Sequence, residues 1–214
     1  MTAQPVGRRR LGRGPLRPYR RADDAGLASV CLQTAADGQD ASGLYARPSL
    51  PGDVWALPYV RFEPDLCLVL DDGTRDGRVS GYVLGTSDTA AFEQWAQRAW
   101  WPDVRRRYPA DDQPPGSADE RLARLVARGL QASPAVVQRY PAHLHVDLLP
   151  HVQGLGHGRR LLEGFFVAAA AAGATGVHLG VGRTNDRAVG FYDRLGFSPL
   201  EESDDTVVLG RDLP

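Results

Sequence analysis

His145-Val146-Asp147-Leu148-Leu149-Pro150-His151-Val152-Gln153-Gly154-Leu155-Gly156-His157-Gly158 runs from an apolar strand through a glycine-rich turn into an alanine-rich helix ending near Gly173. In such a turn, successive backbone N–H groups can point at one anion at a helix N-terminus, and glycine lets the ligand come close. Other folds use the same device. A dinucleotide-binding βαβ unit places the turn after its first strand, whereas here it comes two-thirds of the way along the chain, after antiparallel strands. The phosphate loop of ATPases needs Lys followed by Ser or Thr, and this chain has no lysine. The turn therefore predicts an anion site of a different kind.

Working outward, Val177–Val181 reads as a strand and Asp186–Leu195 as a short helix, opened by Asn185 and carrying Phe191-Tyr192. Leu195-Gly196-Phe197 stops it, and strands at Phe197–Leu200 and Thr206–Leu209 follow. Upstream, Leu16–Arg20 reads as a strand and Asp23–Ala36 as a helix, whereas the glycines and prolines of Asp37–Pro58 predict a loop-rich segment. Leu66–Leu70 and Val79–Thr86 form a predicted hairpin whose turn includes Gly73 and Thr74. Thr89–Tyr140 reads as helical with breaks, including a capping box at Ser117 and Glu120, before the strand His143–Leu149.

The 214 residues, 43% hydrophobic, suffice for one sizeable core, so a single domain over 15–214 is expected. Residues 1–14, with Arg8, Arg9, Arg10 and Arg13, read as a disordered tail without the apolar run of a secretory signal. A net charge of −1 supplies no field toward nucleic acid, which is not an expected partner. The most apolar stretch, Leu161–Ala174, contains Glu163 and falls short of the roughly 20 residues of a membrane span. Two cysteines, Cys31 and Cys67, on separate elements build no disulfide framework, and a cytoplasmic setting fits them.

Turn and second helix together resemble the GNAT acetyltransferase superfamily. Its glycine turn, Q/R-x-x-G-x-G/A, matches Gln153, Gly156 and Gly158, and its preceding proline matches Pro150. Arg17-Pro18-Tyr19, Gly81-Tyr82-Val83-Leu84-Gly85-Thr86, Val146-Asp147-Leu148 and Leu209-Gly210-Arg211 are similar to the C-terminal acetyltransferase-like domain of eukaryotic O-GlcNAcase and its free-standing bacterial relatives. That eukaryotic domain lacks the glycine turn retained here. Nothing resembles the glycosidase part.

The resemblance implies an α/β fold with a mixed, mostly antiparallel sheet, a splayed strand pair and flanking helices. It also implies acetyl-CoA as cosubstrate and an amine, small molecule or polypeptide, as acceptor. Leu148 and Leu149 would offer backbone groups to the pantetheine arm, and Gln153, Gly154, Leu155, Gly156, His157 and Gly158 would hold the pyrophosphate. Asn185 would bind the cofactor arm, and Tyr192 would protonate the leaving thiolate. An acetyl-CoA sensor of the same fold is the alternative reading.

His143, His145 and Asp147 alternate on a strand and so share a face. They could line the acceptor cleft with Asp147 or His145 as base, or form a structural network; a metal site lacks a second ligand cluster and is not expected. Family bases fall on the other parity, which here holds Tyr140, Ala142 and Leu144, so that base is missing or the strand is bulged. Tyr45, Trp55, Trp100 and Trp101 are candidate acceptor walls, with Asp37, Asp40, Asp53 and Asp88 as candidate charges. A homodimer is left open.

Overall fold

A computed structural model describes residues 15–72 and 77–214. The arginine-rich segment 1–14 and the hairpin turn at Gly73 and Thr74 lie outside the described residues. Seven strands form one sheet in the order β1-β2-β3-β4-β5-β7-β6. They are β1 (Leu16–Pro18), β2 (Leu68–Asp71), β3 (Val79–Thr86), β4 (Ala142–Leu148), β5 (Gly176–Gly182), β6 (Ser198–Glu202) and β7 (Thr206–Asp212). Every neighbouring pair is antiparallel except β4 and β5. The expected α/β, mostly antiparallel sheet flanked by helices is what the chain forms.

Nine α-helices are described: α1 (Asp24–Leu32), α2 (Leu50–Trp55), α3 (Leu57–Phe62), α4 (Thr89–Trp95), α5 (Trp101–Arg107), α6 (Ala118–Arg128), α7 (Pro134–Arg139), α8 (His157–Ala171) and α9 (Asp186–Asp193). Two of them correct the loop expected over Asp37–Pro58. Pro51 and Pro58 occupy the first turns of α2 and α3, where a missing N–H costs nothing, so these prolines begin helices instead of breaking one. The box at Ser117 is present in part. Its hydroxyl accepts the Glu120 N–H at 3.0 Å, while Glu120 turns back to the N–H of Gly116, not that of Ser117.

The sheet separates two cores. On one face α8 buries Leu161, Leu162, Phe165 and Phe166 against Val83, Ala142, Leu144, Val177 and Leu179. On the other, α1 and α3 pack Leu27, Val30, Tyr59 and Val60 over Val69, Tyr82 and Leu84. A third cluster, Leu50, Val54, Trp101, Val104, Leu122 and Val126, holds the helical insert. Gly85 is obligatory between strand and helix, since a side chain there would overlap the His143 carbonyl and the Phe165 ring.

Candidate active site

β4 and β5 are paired only at their first rungs, Ala142 with Val177 and His143 with His178. Beyond them the strands part, and a cleft of about 650 Å³ opens between β4, β5, α9 and the turn before α8. The Leu149 N–H donates to Ser80 O on β3 at 2.9 Å. Because alternate residues aim their backbone groups at opposite edges, the N–H groups of Val146 and Leu148 face the gap. A strand edge of this kind inside a sheet leaves donors that a ligand can satisfy. Leu148 thus borders the gap, with its carbonyl already accepting Gln153 Nε2 at 2.7 Å. Leu149 does not: Ser80 takes its N–H and Val152 N–H takes its carbonyl, at 3.0 Å.

The glycine turn forms one end of the cleft. Gly154 and Gly156 have φ of +74° and +83°, and a Cβ on either would meet nothing within 4 Å, so backbone conformation rather than space requires glycine there. Gly156 caps α8, and the first turn of a helix directs N–H groups outward from its end. Gly158 lies close under Phe191 and Leu148, while the imidazole of His157 is buried and Leu155 is exposed. The first turn of α8 contains Arg159 and Arg160 and no acid. Cations there oppose the helix dipole unless an anion sits at its end. Arg159, Arg187 and Arg194 line the cleft, and none of them was expected from the sequence. An arginine pair directly after a glycine turn was the available signal.

Asp147 and Tyr192 face this cleft together. Burial pushes the Asp147 carboxyl above its usual range, opposed by the hydrogen bond from Tyr82. Tyr82 donates at 2.6 Å, and burial, then the Asp147 charge, push its own pKa far up, so it keeps the proton it shares. Burial, then Asp147, likewise raise Tyr192. Among the described residues the Tyr192 hydroxyl has no hydrogen-bonding partner, yet it is not sealed away, because it opens onto the cleft.

His145 lies behind Asp147 in a network whose protons can be assigned by elimination. Thr89 Oγ1 donates to Pro141 O at 2.7 Å, so it accepts Nδ1–H of His143 at 2.8 Å. Nε2 of His143 then accepts the Tyr59 hydroxyl at 2.9 Å, and the Tyr59 oxygen accepts Nε2–H of His145 at 3.1 Å. Burial lowers His145 to about 4 and His143 well below its ordinary value. Both imidazoles are neutral near pH 7. β4 also pairs with β3 one for one from His143 to Leu148, with no bulge, which leaves Ala142 and Leu144 in the α8 core.

Asn185 lines the cleft but has other duties. Its Oδ1 caps α9 at Ala188 N, 3.0 Å away, and its Nδ2 donates to Asp37 O at 3.2 Å. Tyr45, Trp101 and Asp88 are not brought to the cleft. Trp101 is 2% exposed in the third cluster, with Tyr45 packed beside it, and Asp88 caps α4 through the N–H of Ala91 at 2.9 Å. Trp100 donates to Asp53 O and Asp53 pairs with Arg107, while Asp40 binds Ser42, so these too serve structure. Trp55 does approach the site, 5.6 Å from the His145 ring. Among the described residues there is no group of side chains arranged for a metal, and no helix long and apolar enough to cross a membrane. Cys31 and Cys67 are free and buried.

The profile of the acetyltransferase (GNAT) family matches residues 130–197, which contain β4, the glycine turn, α8, β5 and α9. The crystal structure of SsHAT is 42% identical, covering 94% of this chain and 98% of that one with a TM-score of 0.85. Naa20 from Chaetomium thermophilum, crystallised with a bisubstrate analogue, is 22% identical over 93% of this chain and 86% of its own, with a TM-score of 0.53. Ard1 from Thermoplasma volcanium is 16% identical over 94% and 99%, with a TM-score of 0.55. These two share the fold. With a full-length relative at that identity, and the split strand pair and glycine turn in place, the chain belongs to the GNAT family of acetyltransferases and is an N-acetyltransferase.

Proposed function

We propose that the cleft binds acetyl-CoA with its pyrophosphate on the glycine turn, and that the acetyl group passes directly to an amine held at Asp147. The parting of β4 from β5 in front of the α8 N-terminus carries this reading. It offers a strand-like arm two unpaired N–H groups, and a polyanion a helix end with basic side chains around it.

Asp147 is the better base of the two candidates. It lines the cleft, attracts an ammonium, and its raised pKa brings it nearer the amine it must deprotonate. His145 has its Nε2–H committed to Tyr59 and is held near 4, too weak a base for the task. In the transfer, the ammonium gives a proton to the Asp147 carboxylate and the free amine attacks the thioester carbonyl. In this reading the N–H of Leu148 holds the developing oxyanion. As the C–S bond breaks, the Tyr192 hydroxyl, a phenol that keeps its proton until that charge appears, protonates the thiolate, and the second proton shed by the nitrogen as the amide forms returns to the Tyr192 phenolate.

The test is release of free CoA with a panel of small amines and amino-terminal peptides, beside calorimetric binding of acetyl-CoA. Asp147→Asn should lower kcat/KM by about a hundredfold or more, the span of general base catalysis, with acetyl-CoA affinity kept. Undiminished turnover in that variant would remove Asp147 as base. Cofactor binding with no CoA released from any amine would favour the sensor instead.

A further inference from the structure

His178, Gly180 and Gly182 of β5 lie on the same sheet face as His143, His145 and Asp147 of β4, because His143 and His178 are paired and side chains repeat every second residue. The two glycines there have different reasons. A side chain at Gly182 would overlap the Asp37 carboxylate, so glycine is what allows Asp37 to lie on the sheet. At Gly180 a Cβ would meet only Thr206 Cγ2 at 3.4 Å, an ordinary contact, and φ is not in the left-handed region. Nothing in the fold asks for glycine at that position, which is exposed. Glycine inside a strand weakens it, and often marks where a ligand approaches closely.

Gly180 is thus an exposed step on this face between two covered glycines, Gly176 and Gly182. Tyr140 covers one end, its ring against Gly176 and Gly210 and its carbonyl bound by His178 Nδ1 at 2.7 Å. Asp37 closes the other end over Gly182. Its backbone is fixed by Asn185 at 3.2 Å and by the Gly38 N–H on Thr34 O at 2.9 Å, and Asp37 borders the same cleft as Asp147. In a chain with 25 arginines, none of the ion pairs among the described residues engages Asp37.

We propose that the exposed strip at Gly180, between Tyr140 and Asp37, receives the acceptor's chain and that Asp37 binds a second cationic group on it, so that the acceptor is a slender amine carrying two positive charges. This rests on the acetyl-transfer reading above, in which Asp147 holds the reacting ammonium. A residue larger than glycine at position 180 would cover that strip without disturbing the strand.

The experiment compares a series of α,ω-diamines with the matching monoamines. Binding to the CoA complex is measured by calorimetry, and acetylation by CoA release and mass spectrometry. A diamine is expected to bind about tenfold more tightly than its monoamine, equivalent to about 1.4 kcal/mol. Asp37→Asn, which tolerates the positive φ of 51°, should erase that preference, so that diamine and monoamine bind the CoA complex alike. Gly180→Val should raise the acceptor KM by about tenfold or more with an unlowered thermal midpoint, and Gly180→Ala should do so more weakly. Equal handling of both amine classes, a preference that survives Asp37→Asn, or an unchanged acceptor KM in Gly180→Val would each overturn the proposal. Tight CoA binding with no diamine bound or acetylated overturns it too, while the acetyl-CoA site stands. Failure to bind CoA at all would instead bring down the underlying reading.

Discussion

Acidification should loosen this fold through His145, and the size of the effect follows from its position. The imidazole lies between the rings of Trp55 and Tyr59, at 5.6 and 5.2 Å, and burial lowers its pKa from 6.5 to about 4. A folded-state value below the unfolded one means that the unfolded chain binds more protons between those two values. The stabilisation is therefore present above pH 6.5 and is lost as pH falls toward 4. At about 1.4 kcal/mol per unit, the loss amounts to about 2 kcal/mol between pH 7 and pH 5, and about 3 by pH 4. His145→Gln isolates it, because the amide can still donate to the Tyr59 oxygen but does not titrate. Urea unfolding of both proteins at pH 7, 6 and 5 should show the wild-type stability falling more steeply, by about 2 kcal/mol over that range. Parallel curves would refute the depressed pKa. They would also remove the argument that His145 is a neutral member of a structural network. If that argument holds, His145→Gln keeps most of its turnover at pH 7, unlike Asp147→Asn.

Gly156→Glu should abolish acetyl-CoA binding, because it puts a β-carbon on a φ of +83° and a negative charge against the phosphate site; calorimetry showing unchanged affinity would sink the anion assignment. Tyr192→Phe should slow turnover far more than it weakens acetyl-CoA binding, and equal rates would exclude it as the acid. The wild-type rate should fall as pH drops through the raised pKa of Asp147, since the carboxylate must be ionised to accept a proton, and that acidic limb should disappear from the residual activity of Asp147→Asn. Trp101→Ala should cost about 3–5 kcal/mol in urea unfolding while the folded protein binds acetyl-CoA normally, as befits a core residue remote from the cleft.

What the chain disclosed in advance was local. The glycine turn, the strands around it and the cap at Asn185 are written in consecutive residues, and they appear within a few positions of where periodicity puts them. The shared face of His143, His145 and Asp147 followed from strand alternation alone. The misreadings share a cause, which is that they depended on distant partners. Tyr59 meets His143 and His145 from 84 and 86 residues away, and Tyr82 meets Asp147 from 65. No spacing rule connects them. The tryptophans failed similarly: aromatic residues among prolines look alike whether they line a cleft or fill a core, and only the packing of α2, α5 and α6 decides that Trp101 is interior. Pro51 and Pro58 misled because proline marks a helix start as readily as a break, and the first turn it begins is visible only once formed.

Three features that look like defects in the sheet and its helix share one explanation. The strand pair β4–β5 gives up its hydrogen bonds after two rungs, α8 begins with arginines at the positive end of its dipole, and β5 carries a glycine that its neighbours do not require. Each is unfavourable in the free protein, and the chain offsets them only in part, through Gln153 at the Leu148 carbonyl and Glu163 beside Arg159. A thioester cosubstrate with an extended arm and a pyrophosphate would relieve the first two together, since the N–H groups of the gap and the end of α8 border the same cleft. The third lies across the sheet from α8, on the face of Asp147, where an incoming amine must approach the thioester from the side opposite the helix. The cofactor and the acceptor are thus assigned to different faces of one parted strand pair, and the reacting atoms meet where the strands separate. On the proposed reading the base therefore belongs on the His145 face, which carries Asp147, and not on the α8 face, where Ala142 and Leu144 are core.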